Sequence, residues 1–492
     1  MIPCQLNLLI FFRMLIDKPI VKAILRAGIN RSASCGGLTR FEHALMIYAG
    51  LSKPKSISCR FYSLLVSAII NLGLLAFKVK PHKLKKYLRD SNVRRGLTNV
   101  LFSVAEFGLT KPQVLLSPFL VVWNFTNACN LKCKHCYQSA GSYLNNELSL
   151  QEKLKVVEEL DEAGVASLAI SGGEPLMLKD HLFKVVHEAS KRGMYVALAT
   201  NGTLLTKNVV RKLKELGLKY VEVSLDSANP KIHDEFRGVH GAFEAAIRGI
   251  RNCVEEGLFT CIATTVTKLN VHEIPQIIEL AKKLRVNRFI AFNFIPVGRG
   301  VDIVDLDLSP EEREKFLENL AKAALRGEIE VVSTAPQYAR VMLKVSEGKC
   351  TAVSHFHVGS TTLTNYIKAL AEFIGGCGAG RMYCAIQPNG DVTPCVFMPD
   401  LVVGNLKSQH FIDIWKSSEV FKALRSRDKL KGHCGVCGFK YVCGGCRARA
   451  LAYFNDILGP DPGCINNLRA YYDLIPKVKA NIAEDRVAKD KV

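Results

Sequence analysis

Six times between Phe119 and Arg326 a short apolar run gives way to a longer charged segment whose apolar residues recur at helical spacing. The runs are Phe119–Asn124, Ser167–Ser171, Tyr195–Ala199, Tyr220–Leu225, Phe259–Thr265 and Arg288–Asn293. LQEKLKVVEELDEAG is typical of the segments between them; Ser149 with Glu152 offers it a capping box, and Ser309, Pro310 and Glu312 mark a later helix start. Strands separated by helices pair in parallel, because a parallel neighbour needs a crossover, nearly always right-handed. The pattern therefore predicts an α/β fold, a partial (β/α)6 TIM-like barrel, with its chemistry at the mouth where strands end and loops begin.

One such loop follows the first strand and reads Cys129-Asn-Leu-Lys-Cys133-Lys-His135-Cys136. Three thiolates on so short a loop can hold three irons of a cubane and leave the fourth open. A zinc ion with His135 as fourth ligand is the alternative.

Past Arg326 the alternation stops and Gly, Cys and loops take over, with helices expected only near Ile412–Ser426 and Arg447–Phe454. This region holds Cys377, Cys384, Cys395, Cys434, Cys437, Cys443, Cys446 and Cys464, eight thiolates, which is the number two fully ligated four-iron cubanes need. The pairs Cys434/Cys437 and Cys443/Cys446 could instead form a zinc knuckle. A part so poor in regular structure should depend on metal for its shape. Cys4, Cys35, Cys59, Cys253, Cys261 and Cys350 have no partner at ligand spacing and read as packing residues. Clustered cysteines at short spacings suit a reducing cytosol better than a secreted disulfide framework.

With these motifs in place the chain resembles the radical S-adenosylmethionine (radical SAM) superfamily over roughly residues 119–470. The resemblance rests on the C-x-x-x-C-x-x-C loop, on Gly172-Gly173-Glu174-Pro175 after the second strand, on Thr200-Asn201-Gly202, on Ser224-Leu225-Asp226, and on Arg237-Gly238. It implies a [4Fe-4S] cluster on Cys129, Cys133 and Cys136 that binds S-adenosylmethionine through the open iron. The glycine edge would meet the amino group of the methionine moiety, Ser224 and Arg237 its carboxylate, and Asp226 the ribose. The backbone at His135 would meet adenine. It further implies one-electron cleavage to a 5′-deoxyadenosyl radical and an electron donor such as ferredoxin or flavodoxin. CAIQPNGDVTPC, CGVCGFKYVCGGCRARA and DPGC are similar to the SPASM extension of that superfamily, which implies two auxiliary [4Fe-4S] clusters. Cys377, Cys384, Cys395 and Cys446 would bind the nearer one, and Cys434, Cys437, Cys443 and Cys464 the outer one. Two residues separate Cys443 from Cys446 where the family often has three, which puts the interleaved wiring in question. No general acid or base is assigned, since His233, Asp234, Tyr338 and Arg340 could equally be structural.

The first hundred residues carry 17 Lys and Arg against Asp17, Glu42 and Asp90, two thirds of the formal charge of +21. Phe61 to Phe77 has no charged residue and is followed by KVKPHKLKKYLRDSNVRR, an apolar helix with a basic flank of the kind drawn to anionic lipid. It is short for an upright span, and Ser63, Ser67 and Asn71 make a polar stripe along it, so the expectation is an interfacial helix. The plain alternative is a helical subdomain packed on the enzyme. Met1–Ile16 lacks the marks of a signal peptide. The expected organisation is a basic helical extension (1–115), the barrel (116–330), a linker and auxiliary-cluster domain (331–475) and a charged tail (476–492). The expected location is the cytoplasm, peripheral on the cytoplasmic face of the membrane, with no nucleic-acid partner. The leading expectation for function is hydrogen abstraction from an unactivated C–H of a membrane-lipid hydrocarbon chain. Tetrapyrrole side-chain modification is the alternative, suggested by Ala335-Pro-Gln-Tyr-Ala-Arg340 and its likeness to haem-forming decarboxylases, and ribosomal peptide maturation ranks third.

Overall fold

A computed structural model describes residues 18–29, 35, 37–76, 80–351, 372–469, 471, 472 and 476. Cys4 and the tail beyond Lys477 lie outside them. The strands form one sheet: β1 (Leu120–Asn124), β2 (Ser167–Ser171), β3 (Tyr195–Thr200), β4 (Tyr220–Ser224), β5 (Phe259–Val266) and β6 (Arg288–Asn293) pair in chain order, all parallel. A seventh parallel strand, β7 (Glu330–Ser333), extends the β6 edge, and the helix Gln337–Val345 follows it, both in the stretch expected to be irregular. Four residues are too few to show a period, which is why β7 escapes a pattern reading. On the other edge β8 (Tyr383–Ile386) pairs parallel with β1 and continues antiparallel into β9 (Asp391–Thr393) and β10 (Gly404–Asn405). The cysteine-rich region is thus built onto the barrel sheet itself.

Both capping boxes form, at Ser149/Glu152 and Ser309/Glu312. The helices between strands put Val157, Leu160, Val185, Leu213, Ile250 and Ile277 against the outer face of the sheet, where Trp123, Ile170, Leu198, Val223 and Phe289 lie fully buried. The inner face carries smaller side chains, among them Ala169, Ala197 and Ala263. Alternation along each strand therefore sorts a bulky outer core from an inner face with room in it.

Ahead of the barrel come α1 (Pro19–Ala27), α2 (Arg40–Tyr48), α3 (Ile57–Ala76), α4 (Pro81–Tyr87) and α5 (Ser91–Phe107). They share a small core around Leu25, Phe41, Leu45, Val66 and Phe102. α5 ties this extension to the barrel: Arg95 bonds Asp161 at 2.6 Å and the carbonyls of Val165 and Arg192, and Ser91 bonds the carbonyl of Gly193. Those partners precede β2 and β3, so the extension sits at the end of the barrel opposite the cysteine loop. Along the polar stripe of α3, Ser63 is buried with its hydroxyl on the Cys59 carbonyl, Ser67 is half-buried, and Asn71 is exposed and accepts from the Tyr48 hydroxyl. Its exposed side carries Ile57, Phe61, Leu64, Leu72 and Leu75, with Ser58, Arg60 and Asn71 beside them.

Candidate functional site

The loop after β1 is held from three sides. Its Lys132 and Lys134 amides donate to the carbonyls of Arg237 and Phe236 at the end of the helix Pro230–Arg237. Gly173 and Glu174 amides donate to the carbonyls of Thr126 and Ala128. Arg299, which no motif singled out, donates to the carbonyls of Cys133 at 2.9 Å and Ala140 at 2.7 Å. A Cβ on Gly173 would stand 2.2 Å from the Ala128 carbonyl oxygen, so only glycine lets the edge close on the loop.

Cys129, Cys133 and Cys136 line a cavity of about 190 Å³ that also takes in Gly172, Gly173, Thr200, Asn201, Ser224 and Arg237. The cavity descends the barrel along Ala199, Ala263, Ala197 and Ala169 to a floor at Leu120 and Tyr220, and Phe397 and Val396 of the cysteine-rich region close its side. Most of this lining is apolar. Of its two cations, Arg237 places Nε 2.6 Å from Asp226 and Arg299 is spent on the loop carbonyls.

Several predicted site residues sit behind the lining rather than in it. Glu174 is fully buried, and its carboxylate accepts from Leu176 N, Asn201 N and the Thr200 hydroxyl. Pro175 opens the short helix after it. Asp226, expected beside a ribose, instead accepts from Arg237 and from Thr265 N and is absent from the cavity wall. Burial pushes its carboxyl up, but Arg237 outweighs that and holds it below the ordinary range. Asn201 bonds Asn130 of the cysteine loop. His233, Asp234, Tyr338 and Arg340 each have a partner within the fold: His233 accepts from Asp226 N, Asp234 caps Gly241 and Phe243, the Tyr338 hydroxyl faces the Leu320 carbonyl, and Arg340 pairs with Glu314.

The donor set suits an iron-sulfur cubane better than a single ion. Ligand atoms of one tetrahedral zinc lie within about 4 Å of each other. Among the described residues neither Cys129, Cys133, Cys136 and His135 nor the C-terminal cysteines draw three such atoms within 4.8 Å. His135 stacks on Phe236 at 4.2 Å, burial lowers its pKa to about 3, and its Nδ1 is buried without a partner beside the cavity. Burial raises the Cys129 thiol to about 11, eased by the Leu131 amide, and raises Cys133 against the pull of Arg237. Thiols packed this dry ionise only when a metal takes up their charge.

The C-terminal thiols fall into two groups. Cys377, Cys395 and Cys446 neighbour one another around Tyr383, whose hydroxyl lies 2.5 Å from Cys395 Sγ. Cys434, Cys443 and Cys464 neighbour one another farther out, with Cys437 three residues past Cys434. Gly444 and Gly445, both in the left-handed region at φ 66° and 64°, turn the chain so that Cys443 and Cys446 part despite their short spacing. Cys384 belongs to neither group. Strand alternation on β8 points Tyr383 and Ala385 inward and Cys384 outward, where it is fully buried in the outer core near Arg425. The expectation that it binds the nearer cluster is corrected accordingly. Backbone amides aim at the sulfurs of Cys129, Cys136, Cys395, Cys437, Cys443 and Cys446, and among the described residues none aims at Cys384.

Residues 123–281 match the family described as the radical SAM superfamily, and residues 377–438 match SPASM, an iron-sulfur cluster-binding domain. An AdoMet-dependent heme synthase of Methanosarcina barkeri is 38% identical over 71% of this chain and 97% of its own length. A pre-heme d1 synthase of Dinoroseobacter shibae is 32% identical (70% and 85%), and a mycofactocin maturase of Mycolicibacterium smegmatis 33% (71% and 83%). Among solved structures, SuiB of Streptococcus suis bound to S-adenosylmethionine superposes with a TM-score of 0.61 at 18% identity, over 87% of this chain and 93% of that one, a likeness of fold.

Proposed function

This chain belongs to the radical SAM superfamily and carries its SPASM domain, and from that premise we propose that it abstracts hydrogen from an unactivated carbon in the hydrocarbon chain of a membrane lipid. When bound, the cluster and S-adenosylmethionine supply one-electron cleavage of the C5′–S bond, and the resulting 5′-deoxyadenosyl group takes the substrate hydrogen. The chain's own residues position and exclude. Cys129, Cys133 and Cys136 hold the cluster, and Ser224 and Arg237 take the methionine carboxylate. The backbone at Gly172 and Gly173 takes the amino group, and Thr200, Asn201 and Glu174 brace that edge. Asp226 fixes the guanidinium of Arg237, so its fork keeps one orientation. Neutral His135 and the apolar wall keep water from the cavity. Cys377, Cys395 and Cys446 serve one auxiliary cluster and Cys434, Cys437, Cys443 and Cys464 a second; the reducing electron comes from a ferredoxin or flavodoxin.

The observation that carries the lipid reading is the exposed apolar side of α3, which buries Ser63 against the protein and leaves Ile57, Phe61, Leu64, Leu72 and Leu75 outward. Lys53 and Lys55 precede it, and Lys80, Lys83, Lys85 and Lys86 follow. That is the arrangement of a helix lying in an anionic interface, peripheral on the membrane. The helix is also apolar over 19 residues, Ile57–Leu75, long enough by composition to cross. The lining supports the same substrate, because its cations are already engaged.

A tetrapyrrole side chain is the second reading, favoured by the heme-synthase relative and by Ala335–Arg340. Relatives named for heme, heme d1 and mycofactocin lie at similar identity, so likeness alone does not choose between substrates. Anaerobic, cluster-loaded enzyme given chain-deuterated lipids should yield deuterated 5′-deoxyadenosine. Deuterium arriving only from an iron-porphyrin precursor would transfer the assignment to the second reading.

A further inference from the structure

The extension contains a second kind of metal chemistry. Cys35 precedes α2, His43 lies in α2 and Cys59 opens α3, and the ligand atoms of all three lie within 4.8 Å of one another. All three are nearly inaccessible, at 3%, 3% and 6% exposure. Cys35 Sγ and Cys59 Sγ are 3.6 Å apart. That is far from the roughly 2.05 Å of a disulfide but close to the edge of about 3.8 Å that two thiolates make around a tetrahedral zinc at about 2.3 Å. His43 Nε2 lies 3.1 Å from Ser52 Oγ, whose own proton goes to the Lys53 carbonyl. Ser52 thus holds the ring through Nε2, the kind of outer partner that orients a metal-bound histidine.

We propose that Cys35, His43 and Cys59 bind a zinc-class, thiophilic divalent cation that staples Cys35, α2 and the first turn of α3 together. Two thiolates and a neutral imidazole match the charge of such an ion, and water completes the tetrahedron. The site is separate from the iron-sulfur thiols in place and in type, since its ligands converge on one point. The extension has reason to use it: its core is small, and although α3 adds Tyr62 and Val66 to that core, several of its other large apolar side chains stand outward. A metal adds folding free energy where side-chain burial falls short. The spacing of 8 and 16 residues between the ligands follows no short motif, so the site becomes visible only when the helices are packed.

The test uses the full chain, isolated anaerobically with its iron-sulfur clusters. Elemental analysis should find one zinc per chain beyond the iron, and the Cys35→Ser/Cys59→Ser variant should lose the zinc while keeping its iron. Zinc-edge X-ray absorption on the unaltered chain, which needs no variant to fold, should show two sulfur and two nitrogen or oxygen neighbours. Absence of zinc, zinc in an all-sulfur shell, zinc unchanged in the variant, or a Cys35–Cys59 disulfide in the reduced, anaerobic protein would each overturn the proposal.

Discussion

Replacing Phe61, Leu64 and Leu75 together by serine tests whether the outward face of α3 meets a membrane. The three are 65%, 63% and 70% exposed, which amounts to about two whole apolar side chains standing in water. Full burial of such side chains contributes about 2 kcal/mol each, so the triple change removes about 4 kcal/mol if the face sinks fully and about half that if it lies at headgroup depth. At about 1.4 kcal/mol per factor of ten, binding to vesicles should weaken roughly 30- to 1,000-fold. The same side chains contribute little to the folded extension, so melting should change little. Flotation with vesicles rich in anionic phospholipid reads the partitioning directly. Salt separates the two components, because it screens the lysine flank and leaves the apolar part intact. If the unaltered protein ignores anionic vesicles, or the triple variant floats with them equally well, the helix does not lie in a membrane and the lipid reading loses its main support.

Four further outcomes are expected. Cys384→Ala should keep the full iron content and the reduced-state electron paramagnetic resonance signals, whereas Cys395→Ala should lose about one cluster's worth of iron; equal losses would restore Cys384 as a ligand. Arg299→Lys cannot hold the Cys133 and Ala140 carbonyls as a fork, so S-adenosylmethionine cleavage should slow at least about tenfold, with the auxiliary clusters intact; an unchanged rate would mean the loop holds its shape unaided. Ala197→Phe fills the lower cavity, so 5′-deoxyadenosine should still form while deuterium transfer from substrate disappears, and retained transfer would place the substrate elsewhere. Burial raises Glu222 to about 7, against the Tyr220 hydroxyl and Arg288. The folded carboxyl therefore takes up a proton between its ordinary value of 4.5 and about 7, and stability falls as pH rises through that window. Glu222→Gln should remove this dependence and stabilise the protein on the alkaline side by on the order of 3 kcal/mol; parallel pH profiles of melting for both proteins would contradict it.

The barrel was legible because its strands and helices differ in period: Ser167–Ser171 and Arg288–Asn293 fall where the pattern puts them, and the other four central strands shift by one residue at an end. The cysteine loop and the glycine edge stand out in sequence because short loops keep their residues adjacent, and the fold brings both to one cavity. What a sequence hides is direction. Cys384 has ligand spacing, yet one position along β8 decides which face of the sheet it occupies. The serines and asparagine of α3 were visible as a stripe, but only the packing shows that it runs from buried at Ser63 to exposed at Asn71. Arg299 lies more than 150 residues from the loop it clamps and carries no motif. Cys35 and Cys59 read as packing residues for the same reason, their meeting with His43 being a product of three packed segments.

The placement of the extension bears on how a hydrocarbon could reach the cavity. Arg95 and Ser91 anchor α5 to the segments that lead into β2 and β3, so the helical extension adjoins the floor of the barrel and the thiolate loop lies at the other end. The floor is made of Leu120, Ala169, Ala197 and Tyr220, and small residues continue upward from it through Ala263 and Ala199. Glu222, Ser171 and Thr265 also line this path, and an alkyl chain would be drawn along its apolar part by burial. The same geometry distinguishes the two substrate readings physically. A lipid chain that reaches the floor meets Ala197, whereas a ring docked at the mouth beside Phe397 and Val396 does not. Bulk added at Ala197 should therefore block a lipid and leave a ring bound at the mouth within reach.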